Sequence, residues 1–367
     1  MSAVALLAAR RTAVVPRGGA FREVEAHALA AALIGPVLRD AGLVPGDVDE
    51  VILGNALSGG GNVARVAALA AGLPEEVPAL TLDTQCCSGL DAIRLGVARI
   101  AAGEARFVLA GGVESFSRAP LRAHRPRTKG EAPAFYRQPA FTPWPEREPD
   151  LAAAAATLAR LHAIPRADQE AFAVESHRRA LAVPLPAGEI VPVSGVEADS
   201  FARVLSPALL ARLPLLAGDA AHGVTAATTA VEADAAALVL LGPAGAGGAT
   251  VVGSLARGAD PLMPALAPVP AVAALCTRLS VAAAELEHVE LMEAYAAQAL
   301  VAIRLLGLDP GRVNAGGGAL ARGHPIGASG AVLAVRAFHR LQAAPGRALL
   351  AIAGAGGIAS AMVLSRR

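Results

Sequence analysis

The sequence predicts an α/β fold built from two similar halves, with a loop region inserted into the first half. Three observations predict it: short apolar runs alternate with helical periodicity, one order of motifs occurs twice, and a proline- and arginine-rich stretch interrupts the first occurrence. Strands that alternate with helices of about 10–15 residues are typical of βαβ units. We therefore expect a mainly parallel sheet that is covered on both faces.

The elements of the first half follow from apolar spacing and from glycine and proline stops. A helix at residues 24–41 ends at Gly42 before Pro45, and a strand at 51–53 leads into the glycine-rich segment 54–61. The same patterns predict further helices at 65–71 and 88–102, and further strands at 80–83 and 107–110.

Residues 118–149 differ in composition from the rest of the chain. They contain seven prolines and six arginines, together with Lys129, His124 and Trp144, so we expect neither a sheet nor a long helix there. Helical patterns return at 151–161 and 166–181, and a buried strand at 236–241. The predicted organisation is an N-terminal half at 1–242, with a loop domain inserted at about 119–222, and a C-terminal half at 243–367.

The second half repeats the order of the first. Ser88-Gly89 opens a predicted helix, and a strand that ends on Gly111-Gly112 follows it. Ser329-Gly330 opens another helix, and a strand that ends at residues 353–357 follows that one. The repeat predicts two similar α/β halves packed face to face, with corresponding loops meeting at a pseudo-twofold axis.

Composition excludes several classes of protein. With 54% hydrophobic and 17% charged residues over 367 positions, the chain can bury a large core, which excludes a disordered protein. The 32 basic and 31 acidic residues leave a net charge of +1, which argues against a nucleic-acid or membrane partner. No apolar run approaches the ~20 residues that span a bilayer.

The three cysteines, Cys86, Cys87 and Cys276, are too few for a secreted disulfide framework. The basic pair Arg10-Arg11 follows the N-terminal apolar stretch, whereas a signal peptide has its basic residues first. We therefore expect an unprocessed cytoplasmic protein.

Cys86 and Cys87 lie between a predicted strand and a helix that begins at Ser88. A thiol at a helix N-terminus feels the positive end of the helix dipole, which favours the nucleophilic thiolate. The alternative is a pair of buried structural thiols, because free cysteine is among the most buried residue types.

His324 lies in a glycine-rich turn that leads into a second helix, at the corresponding place in the other half. A histidine held in such a turn can act as a base or donate a hydrogen bond. The alternative is a solvent-exposed turn histidine. Its pairing with Cys86 across the two halves favours the functional interpretation.

Several motifs in register resemble the signatures of thiolases, the acetyl-CoA acyltransferases. They are residues 83–90 (DTQCCSGL), 110–120 (AGGVESFSRAP) and 314–330, which include GHPIGASG at 323–330. The opening of the chain and residues 164–180 are also similar, so that the resemblance covers nearly the whole chain in order.

The resemblance implies a thiolase fold with α-β-α-β-α layers, in a homodimer or homotetramer, with acyl-CoA as substrate and no metal or permanently bound cofactor. It implies that Cys86 takes the acyl group as a thioester and that His324 activates the thiol and helps to hold the thioester oxygen. The backbone N–H of Cys86 is the expected oxyanion donor.

Two family positions are replaced. Met292 stands where family members have an asparagine that holds an active-site water, and a thioether is only a weak acceptor. Ala351 stands where the family carries the second catalytic cysteine, the acid/base of the Claisen step. Acid–base assistance contributes about 10²–10⁴-fold, so we expect carbon–carbon chemistry to be suppressed while acylation of Cys86 remains.

The family's inserted loop region covers CoA, and five residues here are candidates for its phosphates and adenine: Arg118, Arg122, Arg125, Arg127 and Lys129. The alternative is an ordinary solvated loop. Ala230 replaces a family serine beside the pantetheine arm.

The acyl-chain preference and the acyl acceptor stay open, and acceptors of three kinds remain: carbon, another thiol or amine, and water. Two alternative functions therefore remain beside a thiolase-type C-acyltransferase. One is non-condensing acyl transfer or thioester hydrolysis, and the other is a catalytically silent acyl-CoA-binding or scaffold subunit.

Overall fold

The computed structural model describes residues 3–245 and 248–367, and its strands and helices alternate through both halves of the chain. The first part of the chain forms β1 (Val4–Arg11), β2 (Val15–Pro16), α1 (Ala26–Asp40), β3 (Glu50–Gly54), α2 (Val63–Ala70), β4 (Ala79–Leu82), α3 (Ser88–Ala101) and β5 (Val108–Glu114). The middle part forms β6 (Arg122–His124), β7 (Ala134–Tyr136), α4 (Leu151–Leu161), α5 (Arg166–Ala182), α6 (Pro207–Leu210), β8 (Leu215–Ala217) and β9 (Val224–Thr225). The last part forms β10 (Ala233–Pro243), β11 (Ala249–Gly258), α7 (Pro268–Leu279), β12 (His288–Leu291), α8 (Ala296–Leu306), α9 (Ala319–Arg322), α10 (Ile326–Ala343), β13 (Gly346–Gly354) and β14 (Ile358–Arg366).

The main strands form one hydrogen-bonded array in the order β12-β13-β14-β11-β1-β10-β5-β3-β4. Only β3 with β4, β3 with β5, and β12 with β13 pair in parallel; the other neighbours in this order are antiparallel. The expectation of a mainly parallel sheet is therefore wrong. Helices connect the strands that pair in parallel at the two ends of this order. Strand β14 instead follows β13 through a short turn and is antiparallel to it, and β10 is antiparallel to both of its neighbours, β5 and β1.

The strand order is the same in the two halves. In the first half β3, β5, β10 and β1 are neighbours, and in the second half β12, β13, β14 and β11 follow in the same sequence. In each half a long helix, α3 or α10, directly precedes the strand that lies second in this order. The repeat predicted from the two serine-glycine motifs therefore corresponds to two similar halves, joined where β1 pairs with β11.

Three large apolar clusters hold five layers together. The largest cluster lies between the sheet faces and contains side chains of both α3 and α10, including Leu90, Ile93 and Val335. A second cluster packs α1 and α2 against the first half, and a third packs α7 and α8 against the second. The order of layers is therefore α-β-α-β-α, as the resemblance implied. None of the described helices is long and apolar enough to cross a bilayer.

The two central helices approach closely because glycines line their contact. A Cβ on Gly89 would lie 2.8 Å from the carbonyl oxygen of Gly327, and one on Gly330 would lie 2.6 Å from the backbone nitrogen of Leu90. Gly112 of β5 also faces α10, and a Cβ there would lie 2.0 Å from the oxygen of Gly327. These contacts leave no room for side chains between α3, α10 and β5.

The middle part of the chain differs from expectation in one respect. Helices α4 and α5 lie where their periodicity predicts them, but residues 118–149 also contain a short antiparallel hairpin of β6 and β7. Three paired residues on each strand suffice for it, and the prolines lie outside both strands. The boundaries predicted at residue 242 and at 119–222 stay predictions.

A buried ion cluster fastens the middle part to both halves. Asp199 accepts from Arg11 Nη1 at 2.7 Å and from Arg322 Nε at 2.8 Å, and Glu189 accepts from Arg11 Nε at 2.7 Å. Although burial acts in the opposite direction, the two guanidinium groups hold the pKa of Asp199 below its usual value. Removing one partner from such a buried pair typically costs about 3–5 kcal/mol.

The close contact predicts that Gly112→Ala is strongly destabilising. The added methyl group meets backbone atoms of α10 that cannot rotate away, and overpacking of a core costs about 1–3 kcal/mol or more. We expect the free energy of unfolding, measured by chemical denaturation, to fall by about 3 kcal/mol. Gly258→Ala is the matched control, because an added Cβ on this strand glycine meets no atom within 4 Å. Equal stability of the two variants would contradict the proposed contact.

Candidate active site

Cys86 lies in a tight turn between β4 and α3. Gln85, immediately before it, has a left-handed backbone with φ of 54°, which is uncommon for a residue other than glycine. The turn is held by hydrogen bonds from the Thr84 N–H to Ser88 Oγ at 2.9 Å and from the Cys87 N–H to the Thr84 oxygen at 3.2 Å. The turn therefore fixes the Cys86 side chain in one direction.

His324 meets Cys86 from the other half of the chain. Its Nε2 lies 3.1 Å from Cys86 Sγ, and its Nδ1 lies 2.6 Å from Ser329 Oγ. Because Ser329 Oγ donates to the Pro325 oxygen at 3.2 Å, the network assigns the ring proton to Nδ1, which donates to Ser329. The Nε2 lone pair then faces the thiol. The arrangement can move a proton from Cys86 to His324 as the sulfur attacks.

Burial makes both groups neutral at pH 7. It raises the pKa of the Cys86 thiol to about 12 and lowers the pKa of His324 to about 4. The resting pair is therefore a thiol and a neutral imidazole, in contrast to the thiolate that the helix terminus alone predicts.

Two backbone N–H groups influence the pKa of the Cys86 thiol. The N–H groups of Ala355 and of Cys86 itself stabilise the charged form and partly offset the effect of burial on the pKa of the thiol. Ala355 belongs to the glycine-rich turn after β13, so the second half supplies a donor as well as the histidine. Paired N–H groups at this place can hold a negatively charged oxygen.

Glu114 ties the start of α10 to the loop after β3. Its buried carboxyl group accepts from the N–H groups of Gly327 at 2.9 Å and Ala56 at 3.0 Å, and from Asn55 Nδ2 at 2.8 Å. Burial raises its pKa to about 7 despite these donors. Because His324 lies three residues before Gly327, this contact helps to fix the position of the histidine.

A cavity of about 120 Å³ opens beside the Cys86–His324 pair. Its wall is mostly apolar and comes from α4, the segment before α7, the start of α8 and the turn after β13. The lining residues are Cys86, Leu151, Ala154, Thr229, Ala230, Pro264, Ala265, Ala294, Tyr295, Gln298, His324, Ala353, Gly354 and Ala355. The volume fits a small acyl group next to the sulfur.

The two replaced family positions are not among the residues that line this cavity. Ala351 is fully buried in β13 among side chains that pack against α8, two residues before the lining residue Ala353. Met292 is buried in the central cluster, two residues before Ala294. Their role relative to Cys86 stays a prediction, and the described cavity wall holds no second thiol in any case.

The other two cysteines lie outside the cavity. Cys87 is fully buried, and its Sγ lies 3.6 Å from the Ile352 oxygen. Cys276 lies in α7, in the apolar cluster that packs α7 and α8 against the second half. The structural-thiol interpretation therefore fits Cys87 and Cys276, and the nucleophile interpretation fits Cys86.

The predicted CoA-binding residues differ in their contacts within the structure. Arg118 pairs with Glu25 at 2.8 Å, and Arg122 donates to the Ala56 oxygen at 2.7 Å. Arg125, Arg127 and Lys129 belong to the segment that joins β6 to β7; Lys129 and Arg127 are exposed. Ala230 lines the cavity beside Cys86, so of the six predicted residues it alone belongs to that wall.

Four contributors to this site are not predicted from the sequence: Ser329, the N–H of Ala355, Tyr295 and Gln298. Ser329 carries a local signal, because it lies five residues after His324 at the first turn of α10. Ala355 contributes its backbone N–H group, and the identity of its side chain gives no indication of that role. Tyr295 and Gln298 lie three residues apart at the start of α8, and only the fold shows which cavity that end faces.

Comparisons with known proteins agree on one family. Residues 4–244 match the model of the thiolase N-terminal domain, and residues 247–366 match that of the thiolase C-terminal domain. The chain is 36% identical to a probable acetyl-CoA acyltransferase of Staphylococcus aureus strain COL, with 100% of both chains covered.

Solved structures show the same fold. The crystal structure of the Bacillus anthracis acetyl-CoA acetyltransferase superposes with a TM-score of 0.88 at 28% identity, covering 100% of this chain and 99% of that one. Human mitochondrial 3-ketoacyl-CoA thiolase in complex with CoA superposes with a TM-score of 0.91 at 29% identity, covering 100% and 98%.

The neutral resting pair predicts how the reactivity of Cys86 depends on pH. Since alkylation by iodoacetamide needs the thiolate and burial raises the pKa of Cys86 to about 12, the rate should rise steadily with pH. We expect about a tenfold rise per pH unit between about pH 6 and about pH 9, measured by peptide mass spectrometry.

Cys86→Ala should abolish this labelling, because Cys87 and Cys276 are buried. A rate that stays flat across the same range would instead indicate a preformed thiolate–imidazolium pair. The pKa of His324, lowered to about 4, keeps its ring neutral above about that pH, so protonation of His324 does not confound the measurement.

Proposed function

The chain belongs to the thiolase family and is an acyltransferase, and from that premise we propose that it takes an acyl group from acyl-CoA as a thioester on Cys86. The observation that carries the proposal is the 3.1 Å contact between Cys86 Sγ and His324 Nε2, inside a cavity sized for a small acyl group. A nucleophile within hydrogen-bond reach of an oriented base is the arrangement that covalent acyl transfer needs.

The acylation step uses the chain's own groups. His324 Nε2 accepts the thiol proton as Cys86 Sγ attacks the thioester carbonyl carbon, which forms the new carbon–sulfur bond. The bond from that carbon to the CoA sulfur then breaks, and the proton on His324 passes to the leaving CoA thiolate. The products are the Cys86 thioester and free CoA, with His324 neutral again.

The N–H groups of Cys86 and Ala355 stabilise the oxyanion that forms between these two bond changes. Removal of one such donor costs about 10²–10³-fold in rate in other acyl-transfer enzymes. Both halves of the chain therefore contribute to the acylation step. The first half supplies the sulfur and one hydrogen-bond donor to the oxyanion, and the second half supplies the base and the other donor.

We place the CoA moiety along the β6–β7 hairpin. The human thiolase at 29% identity was crystallised in complex with CoA, and the hairpin here carries basic residues at Arg122, Arg125, Arg127 and Lys129. Exposed guanidinium and ammonium groups suit phosphate oxygens. Arg118 must leave Glu25 to take part, and Ala230 borders the acyl end of the path.

The second half-reaction is proposed to be transfer to an acceptor other than a carbanion. The described cavity wall offers Cys86, His324 and Tyr295 as its titratable groups, and no second thiol to remove an α-proton. This composition favours non-condensing acyl transfer or thioester hydrolysis over the Claisen step. A catalytically silent subunit is disfavoured by the intact Cys86–His324 contact.

The proposed assembly is a homodimer or homotetramer located in the cytoplasm. Strand β4 lies at one end of the strand order with its residues only partly buried, so its free edge can pair with a second copy. Light scattering after size-exclusion chromatography measures the assembly directly.

The proposed function predicts a covalent acetyl-enzyme. Incubation with acetyl-CoA should increase the intact mass by one acetyl group, because the thiol attacks the thioester and releases CoA. Cys86→Ala should remove the adduct, and His324→Ala should slow its formation by about 10²-fold or more.

Cys276→Ala is the matched control, since this thiol lies in α7 outside the cavity, and it should keep the adduct. A wild-type protein that forms no adduct with acetyl-CoA or with a longer acyl-CoA would overturn the proposed function.

The missing second thiol predicts slow thiolysis. With acetoacetyl-CoA and free CoA, we expect cleavage to be at least about 10²-fold slower than acylation of Cys86 by acetyl-CoA, because one acid/base is absent. The rate of acetoacetyl-CoA cleavage is measured by loss of the enolate absorbance, and the rate of Cys86 acylation is measured by intact mass. Comparable rates would show that another group performs the proton transfer.

A further inference from the structure

Two polar side chains in the Cys86 cavity have no part in the acylation step. Tyr295, immediately before α8, and Gln298, in its first turn, both line the cavity beside Cys86 and His324. Thr229, another polar residue of the wall, already donates its hydroxyl group to the Thr225 oxygen at 2.9 Å. Tyr295 and Gln298 therefore carry the unused hydrogen-bonding capacity of this wall.

The Gln298 carboxamide is buried without partners. The residue is 1% exposed, and neither its Nε2 nor its Oε1 has a hydrogen-bond partner among residues 3–245 and 248–367. A buried amide left unpaired costs about 1–3 kcal/mol, and native structures contain few such groups. An unpaired donor and acceptor in the wall of a substrate cavity point to a ligand group that supplies the complement.

Tyr295 adds a donor on the same wall. No described residue forms a hydrogen bond with its hydroxyl group, and the negative charge of Asp150 acts on the phenol, as does that of Cys86 when it is a thiolate. Burial raises the pKa of Tyr295 to about 12, so the phenol keeps its proton at neutral pH. It can therefore donate to a ligand oxygen.

The rest of the wall restricts the charge of that ligand group. The described lining contains no arginine, lysine, aspartate or glutamate, and Leu151, Ala154, Pro264 and Ala265 make much of it apolar. A carboxylate would have no counter-ion there. Asp150, the carboxylate that acts on Tyr295, is exposed and outside the described lining, so an ammonium group would also lack a buried counter-ion, and burying an isolated charge is costly. The complement of Tyr295 and Gln298 is thus a neutral group that donates and accepts hydrogen bonds.

We propose that Tyr295 and Gln298 form a polar subsite that selects acyl groups with a neutral hydrogen-bonding substituent, of which a hydroxyl group is the simplest. The proposal rests on the proposed function, because the selected acyl group is the one that Cys86 carries. An unsubstituted chain of the same length leaves both side chains unpaired, and sites built around a substrate hydroxyl group discriminate strongly against its absence.

The test compares acylation of Cys86 by butyryl-CoA with acylation by 2-, 3- and 4-hydroxybutyryl-CoA, followed by intact mass. We expect at least one hydroxy isomer to react about tenfold faster than butyryl-CoA, the value of about one net hydrogen bond. In Tyr295→Phe and in Gln298→Met the same ratio should fall towards one. The ratio is taken within each variant, so that a general loss of activity does not affect it.

Thr277→Val is the matched control, because it removes a hydroxyl group in α7, outside the cavity and outside the proposed CoA path, where that group donates to the Ala273 oxygen at 2.9 Å. It should keep the wild-type ratio. If Gln298→Met does not fold, Tyr295→Phe alone decides the role of the phenol, since this change removes one oxygen atom only.

Two outcomes overturn the proposal: a wild-type ratio near one for all three isomers, or a high ratio that neither variant lowers. Both are distinct from failure of the proposed function, in which no acyl adduct forms with any of the four thioesters or with acetyl-CoA.

Discussion

The central helices α3 and α10 touch without side chains between them, and the rest of the site depends on this contact. Gly89 and Gly330 let the two backbones meet, while Gly112 and Gly327 let β5 approach α10. Cys86 precedes α3 and His324 precedes α10, so the distance between the helices sets the distance between sulfur and imidazole. A few added carbon atoms at these glycines would separate two groups that must lie within hydrogen-bond reach.

The electrostatics of the site are those of a buried, mostly apolar cavity. Burial favours the thiol and the neutral ring, and Ser329 and Pro325 fix which ring nitrogen faces the sulfur. Charge develops only when a carbonyl group is attacked, and the N–H groups of Cys86 and Ala355, which favour a negative charge on the sulfur, are the proposed donors to the oxyanion. The protein thus needs little reorganisation during the step, and its resting thiol is protected from unspecific reaction.

Local patterns predicted much of the fold and the two central residues of the site. Periodicity located α1, α3, α4 and α5 within a few residues, and the duplicated motif led to the pairing of Cys86 with His324. Strand direction was predicted wrongly, because the antiparallel β10 and β14 join neighbours by tertiary contacts that periodicity does not record. Ala355 contributes a backbone group, and Gln298 is distinguished only by missing partners, so neither has a signature in the sequence.

The ion cluster at Asp199 also bears on how a substrate reaches Cys86. Asp199 lies in the middle part of the chain and forms ion pairs with Arg322, two residues before His324, and with Arg11 of β1. These ion pairs connect the segment around Asp199 to the turn that carries His324. A displacement of this segment would therefore also displace the histidine. The β6–β7 hairpin has only exposed or partly exposed contacts in the described chain. The proposed path for a bulky thioester accordingly follows the hairpin and avoids the side that the Asp199 ion pairs hold in place.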